Sequence, residues 1–171
     1  MRIAIIGCGV IGSAFATHFA KKSSVIVCDR TLAKSSKLAQ EVGGSATDKP
    51  ADAIQNAELI LLAIKPKDLK NFARENSALF KPSQILVSTL AGTPVATLRE
   101  YFNKPHIIRC LPNLPMLSGE GVIGFVESDV SKETINTLFH GLGLLMWVSE
   151  EKLESGSFKI PINSKYVVSP F

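Results

Sequence analysis

Three features of the sequence predict an α/β fold with a doubly wound, mostly parallel sheet and helices on both faces. Short apolar runs alternate with longer stretches of helical period from the first residue almost to Val148. Most of these runs are apolar throughout, as expected for strands that are buried on both faces. A glycine-rich segment joins the first run to the first helical stretch. This arrangement is typical of the Rossmann type of fold.

The size and composition predict one globular domain with a tail. The chain has 171 residues, of which 46% are hydrophobic and 20% charged, enough to bury one sizeable core. The net charge of +4 is scattered along the chain, so nucleic-acid binding is not expected. Apolar runs such as residues 59–64 are far shorter than the roughly 18 residues of a membrane-spanning helix, so no membrane association is expected.

The apolar runs predict seven strands, and the stretches between them predict the helices. The predicted strands are residues 2–6, 25–28, 59–64, 84–88, 107–111, 122–126 and 144–148. A first helix starts at Val10 and ends near Lys21–Lys22, and a second spans residues 32–42 before Gly43 and Gly44. A third begins at Pro94 with Thr93 as its N-cap, and Ser131 caps the helix that carries Ile135, Leu138 and Phe139.

The cysteines and histidines indicate neither a disulfide framework nor a metal site. Cys8, Cys28 and Cys110 have no CxxC spacing and no clustered histidine partners. His18 is expected to be a packed residue or a residue at the rim of the core rather than a ligand. We therefore expect a reducing, cytoplasmic location. The alternative, that the apolar N-terminus is a secretory signal, explains the spacing of the glycines less well.

The segment from Gly7 to Gly12 is a GxGxxG motif placed after a strand and before a helix, which is the context of a dinucleotide-binding loop. Gly7 is expected to make the tight turn, Gly9 to let the backbone approach a pyrophosphate, and Gly12 to let helix and strand pack closely. Val10 and Ile11 complete the loop, whose helix start favours an anion.

The residues after the second strand leave the choice between NAD and NADP open. Asp29 follows Gly7 by 22 residues, where a carboxylate can accept hydrogen bonds from the adenosine ribose and disfavour a 2′-phosphate. The neighbouring Arg30 could instead stack on the adenine or pair with a 2′-phosphate. Asp29 alone indicates NAD, whereas Arg30 allows NADP.

Three later segments lie at predicted carboxyl ends of strands, where an open parallel sheet binds its ligands. They supply a lysine before a proline, small residues that allow close approach to a flat ring, and an asparagine fixed between two prolines. The candidate residues are Ala63, Lys65 and Pro66 in the first segment, Ala91 with Gly92 in the second, and Asn113 in the third.

Taken together and in this order, the motifs resemble those of pyrroline-5-carboxylate reductase, the last enzyme of proline biosynthesis. The resemblance runs from Met1 to about Leu153. It rests on the glycine loop, an LAxKPxD-like run at residues 62–68, an SxxAG-like run at residues 88–92, and Leu111-Pro112-Asn113 followed by Gly119-Glu120-Gly121.

The resemblance implies an NAD(P)H-dependent reduction of the C=N bond of 1-pyrroline-5-carboxylate to L-proline. It implies that the three glycines hold the pyrophosphate, Asp29 and Arg30 the adenosine end, and Ala63, Lys65 and Pro66 the ribose and nicotinamide side. Ala91 and Asn113 would border the nicotinamide. Such catalysis depends on alignment and charge, so no catalytic nucleophile and no metal are expected.

The end of the sequence departs from the family's pattern. Family members continue into a helical domain that forms the dimer and supplies a Gly-Ser-Gly-Pro-Ala-like loop for the substrate carboxylate. Here Ser155-Gly156-Ser157 is followed by Phe158-Lys159. We expect a dinucleotide-binding domain over residues 1–154 and a divergent, truncated or frameshifted tail over residues 155–171, without the dimerisation domain, so that a homo-oligomer is not expected.

Two other hypotheses remain beside a reductase of the proline pathway. One is a non-catalytic NAD(P)-binding module or remnant, which would bind cofactor without turning over an imine. The other is a related oxidoreductase of the prephenate or deazaflavin-dependent type, against which the Pro112-Asn113 segment and its Gly-Glu-Gly neighbour argue. Assays with each substrate discriminate among the three.

Overall fold

A computed structural model describes residues 1–126 and 128–155, which form one eight-stranded sheet in the order β3-β2-β1-β4-β5-β6-β7-β8. The strands are β1 Arg2–Ile6, β2 Ser24–Cys28, β3 Ser45–Thr47, β4 Leu59–Leu62, β5 Ile85–Ser88, β6 His106–Pro112, β7 Gly121–Val126 and β8 Gly143–Val148. All neighbouring strands are parallel except β6 and β7. The predicted fold class is confirmed.

In the part of the chain that the structure describes, seven α-helices connect or follow the strands. They are α1 Val10–Phe19, α2 Leu32–Val42, α3 Pro50–Ile54, α4 Leu69–Asn76, α5 Val95–Tyr101, α6 Lys132–Phe139 and α7 Glu150–Ser155. Helices α1, α2 and α6 contribute to the core on one face, and α3, α4 and α5 contribute to the core on the other. No helix among residues 1–126 and 128–155 is long and apolar enough to cross a membrane.

Most predicted elements are confirmed, with a few boundaries that differ. The second helix has the predicted bounds, and the Ser131 hydroxyl accepts a hydrogen bond from the Thr134 amide at the start of α6. The first helix ends at Phe19, before the predicted lysines, and β4 ends at Leu62 instead of Ile64. His18 is half-buried, and its Nε2 lies 2.9 Å from the Leu138 carbonyl oxygen, as expected for a packed residue.

The predicted start of the third helix is wrong by one residue. Helix α5 begins at Val95, and Pro94 takes the cap position that was predicted for Thr93. The Thr93 hydroxyl instead donates to the Ala91 carbonyl at 3.4 Å. The Val95 amide donates to the Glu150 carboxylate at 2.7 Å, so a side chain 55 residues away satisfies it. No local sequence pattern could indicate that partner.

Four short elements were not predicted from the sequence, and one helical residue was predicted to lie in the tail. Strand β3 has only three residues, and α3, α4 and α7 have five, eight and six. Ser155, which was assigned to the tail, is the last residue of α7. The rest of the predicted tail, residues 156–171, lies outside the described residues.

Five aromatic rings pack α1 and α6 against β7 and β8. The ring of Phe139 lies edge-on to Phe15, Phe19 and Phe125 at centroid distances of 5.5, 5.2 and 5.0 Å. Trp147 stacks on Phe125 at 5.3 Å. Such pairs stabilise a core by about 1 kcal/mol each beyond the burial of their area. The cluster joins the N-terminal βα unit to the last two described strands.

The turn from β1 into α1 depends on two glycines. Gly7 has φ +106°, a conformation that glycine adopts freely and other residues rarely do. A Cβ on Gly12 would lie 1.8 Å from the Gly7 carbonyl oxygen, so α1 could not start this close to β1 with any side chain there. A Cβ on Gly9 would have no heavy atom within 4 Å. The fold therefore requires glycine at positions 7 and 12 but not at position 9.

We predict that Gly12→Ala destabilises the chain by about 3 kcal/mol or prevents folding, because the added methyl group overlaps backbone that cannot move away cheaply. Gly9→Ala is the matched control and should cost at most about 1 kcal/mol. Urea unfolding followed by circular dichroism measures both changes. Equal stabilities for the two variants would contradict this packing argument.

Candidate dinucleotide-binding site

The candidate site lies where the chain changes direction across the sheet. Strand β1 pairs with β2 on one side and β4 on the other, and the connections from these two neighbours lead to opposite edges. The parallel strands β1, β2, β4 and β5 end at the same edge, so the loops that follow them converge there. Open α/β sheets bind their ligands in this position.

The glycine loop is held in place by backbone hydrogen bonds to both neighbouring strands. The Gly7 amide donates to the Cys28 carbonyl at 2.8 Å, and the Ala63 amide donates to the Ile6 carbonyl at the same distance. A Cβ on Gly7 would lie 2.5 Å from the Ala63 carbonyl oxygen, so the two loops touch through their backbones. The structure thus brings together the predicted residues Gly7 and Ala63.

Gly9 and Val10 form the open part of this loop. Gly9 is the exposed N-cap of α1, and 63% of Val10 is exposed. Because the fold makes no demand for glycine at position 9, the space beside it is available to a ligand. Ile11 is partly buried and packs against the core, so it anchors the loop to the body of the domain.

Asp29 joins the glycine loop to the start of α2. One carboxylate oxygen accepts a hydrogen bond from the Cys8 amide and the other accepts one from the Thr31 amide, each at 3.0 Å. The side chain is therefore fixed at the end of β2 and places a negative charge beside the loop. A carboxylate oxygen can accept a second hydrogen bond, so these contacts leave acceptor capacity for a ribose hydroxyl.

Arg30 extends away from the sheet. Its side chain is 86% exposed, and Nη2 lies 3.5 Å from a carboxylate oxygen of Asp68, in the segment that follows Lys65 and Pro66. An exposed pair at this distance contributes little to stability. The guanidinium can therefore exchange Asp68 for an anionic ligand at low cost. The structure brings Arg30 near the β4 loop, a proximity that its sequence position did not indicate.

The loops after β4 and β5 lie side by side. The Thr89 amide and hydroxyl both donate to the Leu62 carbonyl at 3.1 Å. Lys65 and Pro66 are exposed at the start of a 3-10 turn, Pro66–Asp68, and Ala91 is exposed after β5. The predicted lysine and small residues are thus on the accessible side of neighbouring loops.

Asn113 is placed differently from the sequence expectation. Only 3% of it is exposed, and its side-chain oxygen accepts a hydrogen bond from the Val122 amide at 2.8 Å. Its backbone amide donates to the Val122 carbonyl at 3.2 Å. The side chain therefore fixes the turn between the antiparallel strands β6 and β7, and its oxygen faces the protein backbone instead of an open crevice.

A groove of about 810 Å³ begins at the glycine loop and follows the outer side of α1. Its walls include Ser13, Thr17 and Lys21 on the helix, and Met116 and Leu117 opposite. Of the predicted site residues, Gly9 and Val10 line it, whereas Asp29, Lys65 and Ala91 do not. The groove therefore meets the candidate crevice only at the glycine loop.

Burial keeps the cysteine near the site in its thiol form. Partial burial raises the pKa of Cys8 to about 11, and the negative charge of Asp29 acts in the same direction. Burial likewise raises the pKa of Cys28 to about 12 and that of Cys110 above its ordinary value. Among the described residues, no three His, Cys, Asp or Glu side chains are grouped so as to hold a metal ion.

Sequence reasoning missed a charged cluster on the other side of the β5 loop. Arg109 in β6 is fully buried, and its Nη1 donates to a carboxylate oxygen of Glu150 at 3.1 Å. Its Nη2 forms an ion pair with Glu154. Two signals could have found it. A cation inside an apolar strand needs buried partners, and Glu150 and Glu154 are four residues apart on one helix face.

Comparison with known proteins agrees with this geometry. The sequence matches the family described as "NADP oxidoreductase coenzyme F420-dependent" over residues 2–92. The pyrroline-5-carboxylate reductase of Pseudomonas aeruginosa is 27% identical over 159 residues, which cover 88% of this chain and 58% of that protein. The chain thus spans about three fifths of the length of this curated relative.

Two solved structures share the fold. A pyrroline-5-carboxylate reductase from Coxiella burnetii superposes with a TM-score of 0.81 at 23% identity, covering 91% of this chain and 62% of that one. The pyrroline carboxylate reductase of Plasmodium falciparum, solved with NADP bound, superposes with a TM-score of 0.76 at 18% identity, covering 89% of this chain and 59% of that one.

The fold and the glycine loop define a protein of the dinucleotide-binding α/β class. The match over more than half of the sequence goes further: the chain belongs to the family of NADP oxidoreductases described as coenzyme F420-dependent. This membership agrees with the predicted cofactors, NADP or NAD, and with the predicted class of NAD(P)-dependent oxidoreductase. The resemblance to pyrroline-5-carboxylate reductase is confirmed by the curated relatives.

We predict that Cys8 reacts slowly with iodoacetamide in the folded chain. With a pKa of about 11, on the order of 0.1% of the thiol is ionised at pH 8, against about a quarter for an ordinary cysteine. Alkylation at pH 8 should therefore be more than about a hundredfold slower than in the urea-unfolded chain. Peptide mapping by mass spectrometry measures the rate, and equal rates in the two states would contradict the burial of Cys8 beside Asp29.

Proposed function

We propose that the chain binds NADPH or NADH in the crevice at the ends of β1, β2, β4 and β5 and reduces 1-pyrroline-5-carboxylate to L-proline. The observation that carries the proposal is the geometry of the glycine loop. The packing of the backbone requires glycine at positions 7 and 12, whereas the space beside Gly9 is open. The curated relatives that match nearly the whole described chain supply the choice of substrate.

The residues present fit a dinucleotide. The backbone of Gly7, Gly9, Val10, Ile11 and Gly12 would hold the pyrophosphate at the positive end of α1, where no acidic residue occupies the first turn. Asp29 would accept a hydrogen bond from the adenosine ribose. Lys65 and Pro66, with Ala63 behind them, would border the ribose on the nicotinamide side.

The chain's own contribution is placement and charge. A reduced nicotinamide supplies a hydride when bound. Ala91 presents a methyl group and no polar side chain, which allows close approach to a flat ring. Lys65 adds a positive charge near the crevice, which favours a carboxylate-bearing substrate. We propose no catalytic side chain, because alignment of the reacting atoms accounts for much of the rate enhancement in such transfers.

Asn113 has a reduced part in this proposal. Because its side-chain oxygen is engaged by the Val122 amide, we assign it to the shape of the site's border. It would act on the nicotinamide side by fixing the β6–β7 turn.

We propose residues 1–154 as the nucleotide-binding unit. We also propose the cytoplasm as its location, which three free cysteines support.

The family description favours a second candidate function, hydride exchange between NADP and coenzyme F420. The matched region, residues 2–92, contains the glycine loop and the β4 and β5 loops but ends before Asn113. The curated reductases match 88% of the chain and so include the later segments. This difference in coverage supports the imine as substrate over the deazaflavin.

We predict that the purified chain oxidises NADPH when 1-pyrroline-5-carboxylate is added, and does not do so when oxidised F420 is added instead. The loss of reduced-nicotinamide absorbance measures turnover, and amino-acid analysis measures proline. Turnover with F420 alone would favour the second candidate. A folded chain that binds NADPH and turns over neither compound would contradict the proposal and favour a non-catalytic dinucleotide-binding module.

We also predict that binding of NADPH depends on Arg30 more strongly than binding of NADH does. The 86% exposed guanidinium can leave Asp68 for a 2′-phosphate, with which it forms charge-assisted hydrogen bonds. Arg30→Ala should raise the Kd for NADPH about tenfold and change the Kd for NADH less than about twofold. Arg74→Ala, which removes another exposed arginine, on α4, is the control. Equal effects of Arg30→Ala on both cofactors would assign Arg30 to the adenine instead.

A further inference from the structure

The buried guanidinium of Arg109 connects two elements that are far apart in the sequence. Arg109 lies beside Ser88, the last residue of β5, in the register of β5 and β6. Its Nη2 donates to the Leu90 carbonyl at 3.4 Å, two residues beyond the end of β5. Its other partners, Glu150 and Glu154, both belong to α7. The loop after β5 and the last described helix thus share one cation.

Glu150 strengthens this connection. The same carboxylate oxygen that accepts from Arg109 at 3.1 Å also accepts from the Val95 amide at 2.7 Å. The loop after β5, residues 89–94, is therefore fixed at its beginning by Arg109 through Leu90. At its end it is fixed by Glu150 through Val95. A change in the position of α7 must disturb both ends.

Helix α7 depends on the same contacts. A six-residue helix is too short to be stable alone. Its apolar contribution is Leu153, which is 1% exposed and packs with Leu111, Val126 and Val148. Its polar attachments include the ion pairs of Glu150 and Glu154 with Arg109 and the hydrogen bond that Glu150 accepts from the Val95 amide. If α7 moved away, a fully buried guanidinium would lose both carboxylates, and an unpaired buried charge is strongly unfavourable.

Arg109 also retains unused donor capacity. Its Nε is buried and has no hydrogen-bond partner among the described residues. The guanidinium is held through Nη1 and Nη2, which contact the carboxylates of Glu150 and Glu154 and the Leu90 carbonyl, in the planar fork geometry of arginine. The placement of the Leu90 carbonyl therefore depends directly on where Glu150 and Glu154 hold Arg109.

We propose that Arg109 is a positioning residue that couples the docking of α7 to the conformation of the 89–94 loop, and through it to binding of the nicotinamide end of the cofactor. The last step rests on the proposed function, because it requires that Ala91 border the nicotinamide. The coupling itself rests only on the contacts among Arg109, Leu90, Glu150 and Glu154. Undocking of α7 and loss of order in residues 89–94 then occur together, as one conformational change.

The first experiment is hydrogen exchange of the full chain, comparing Glu154→Gln with wild type. Glu154 is partly exposed, so the substitution removes a charge without leaving a cavity. Exchange should accelerate at least about fivefold both in residues 150–155 and in residues 89–95. Glu151→Gln is the matched control, because Glu151 is exposed on the same helix; it should leave both segments unchanged. Faster exchange confined to α7, or in neither segment, would overturn the coupling.

The second experiment separates positioning from general stability. The Kd of NADP⁺ and of 2′-phospho-ADP-ribose, which lacks the nicotinamide, is measured for wild type, Glu154→Gln and Arg109→Lys. Both variants should weaken NADP⁺ about fivefold and leave 2′-phospho-ADP-ribose within about twofold. An equal increase in the Kd of both ligands, or no increase in either Kd, would overturn the proposed link to the nicotinamide.

The two experiments also distinguish this proposal from the proposed function. Hydrogen exchange needs no ligand, so it decides the coupling between α7 and the loop even in a chain that reduces no imine. Selective loss of NADP⁺ binding in a chain without turnover would support the coupling and contradict the reductase function. Turnover with unchanged exchange in Glu154→Gln would support the reductase and overturn the coupling.

Discussion

The structure depends on the close approach of α1 to the end of β1. Gly12 lies against the Gly7 carbonyl with no room for a side chain, and this contact fixes the direction in which the helix leaves the sheet. The same turn places the Gly7 amide on the Cys28 carbonyl and brings the loop against Ala63. Backbone contacts thereby align the ends of three strands, β1, β2 and β4. The space beside Gly9 is a consequence of that alignment.

The strands that carry the site are fixed by burial in two cores. Strands β1 and β4 are almost wholly buried, with side chains directed into separate cores on the two faces. Each face is closed by three helices, and the aromatic cluster around Phe139 extends one core to β7 and β8. Polar contacts also hold the loops at the strand ends. Asp29 fixes the β2 end, Thr89 the β5 end and Asn113 the β6 end.

Much of this arrangement could be predicted from the sequence. Runs of apolar residues, the glycine spacing and the Gly43 signal are local patterns, and they gave the fold class, seven strands and the bounds of α2. The edge strand β3 was missed because it has three residues and two of them are polar; the Ser35 hydroxyl holds it by donating to the Thr47 carbonyl. Helix α7 was missed because it is stabilised by Leu153 and a distant arginine, not by its own periodicity.

The sequence predicted the parts of the site that backbone packing determines. It did not predict the parts that hydrogen bonds and ion pairs between distant side chains determine. The spacing of Gly7 and Gly12 follows from a steric contact between residues five positions apart. The inward orientation of Asn113 follows from a contact with the Val122 amide, which no local pattern displays. The pairing of Arg109 with Glu150 spans 41 residues, and the sequence indicates it only through a cation in an apolar strand and two carboxylates one helical turn apart. The same reason explains why Thr93 was expected to cap α5 when Glu150 supplies the acceptor.

The central claim is that a reduced dinucleotide binds across the glycine loop and the β2, β4 and β5 loops. A titration of the isotope-labelled chain with NADPH, followed by amide NMR shifts, tests it most directly. The account predicts the largest shifts in residues 7–12, 29–31, 63–66 and 89–92, with small shifts at Ser13, Thr17 and Lys21 along the outer groove of α1. Shifts concentrated in that groove, or none at saturating NADPH, would contradict it.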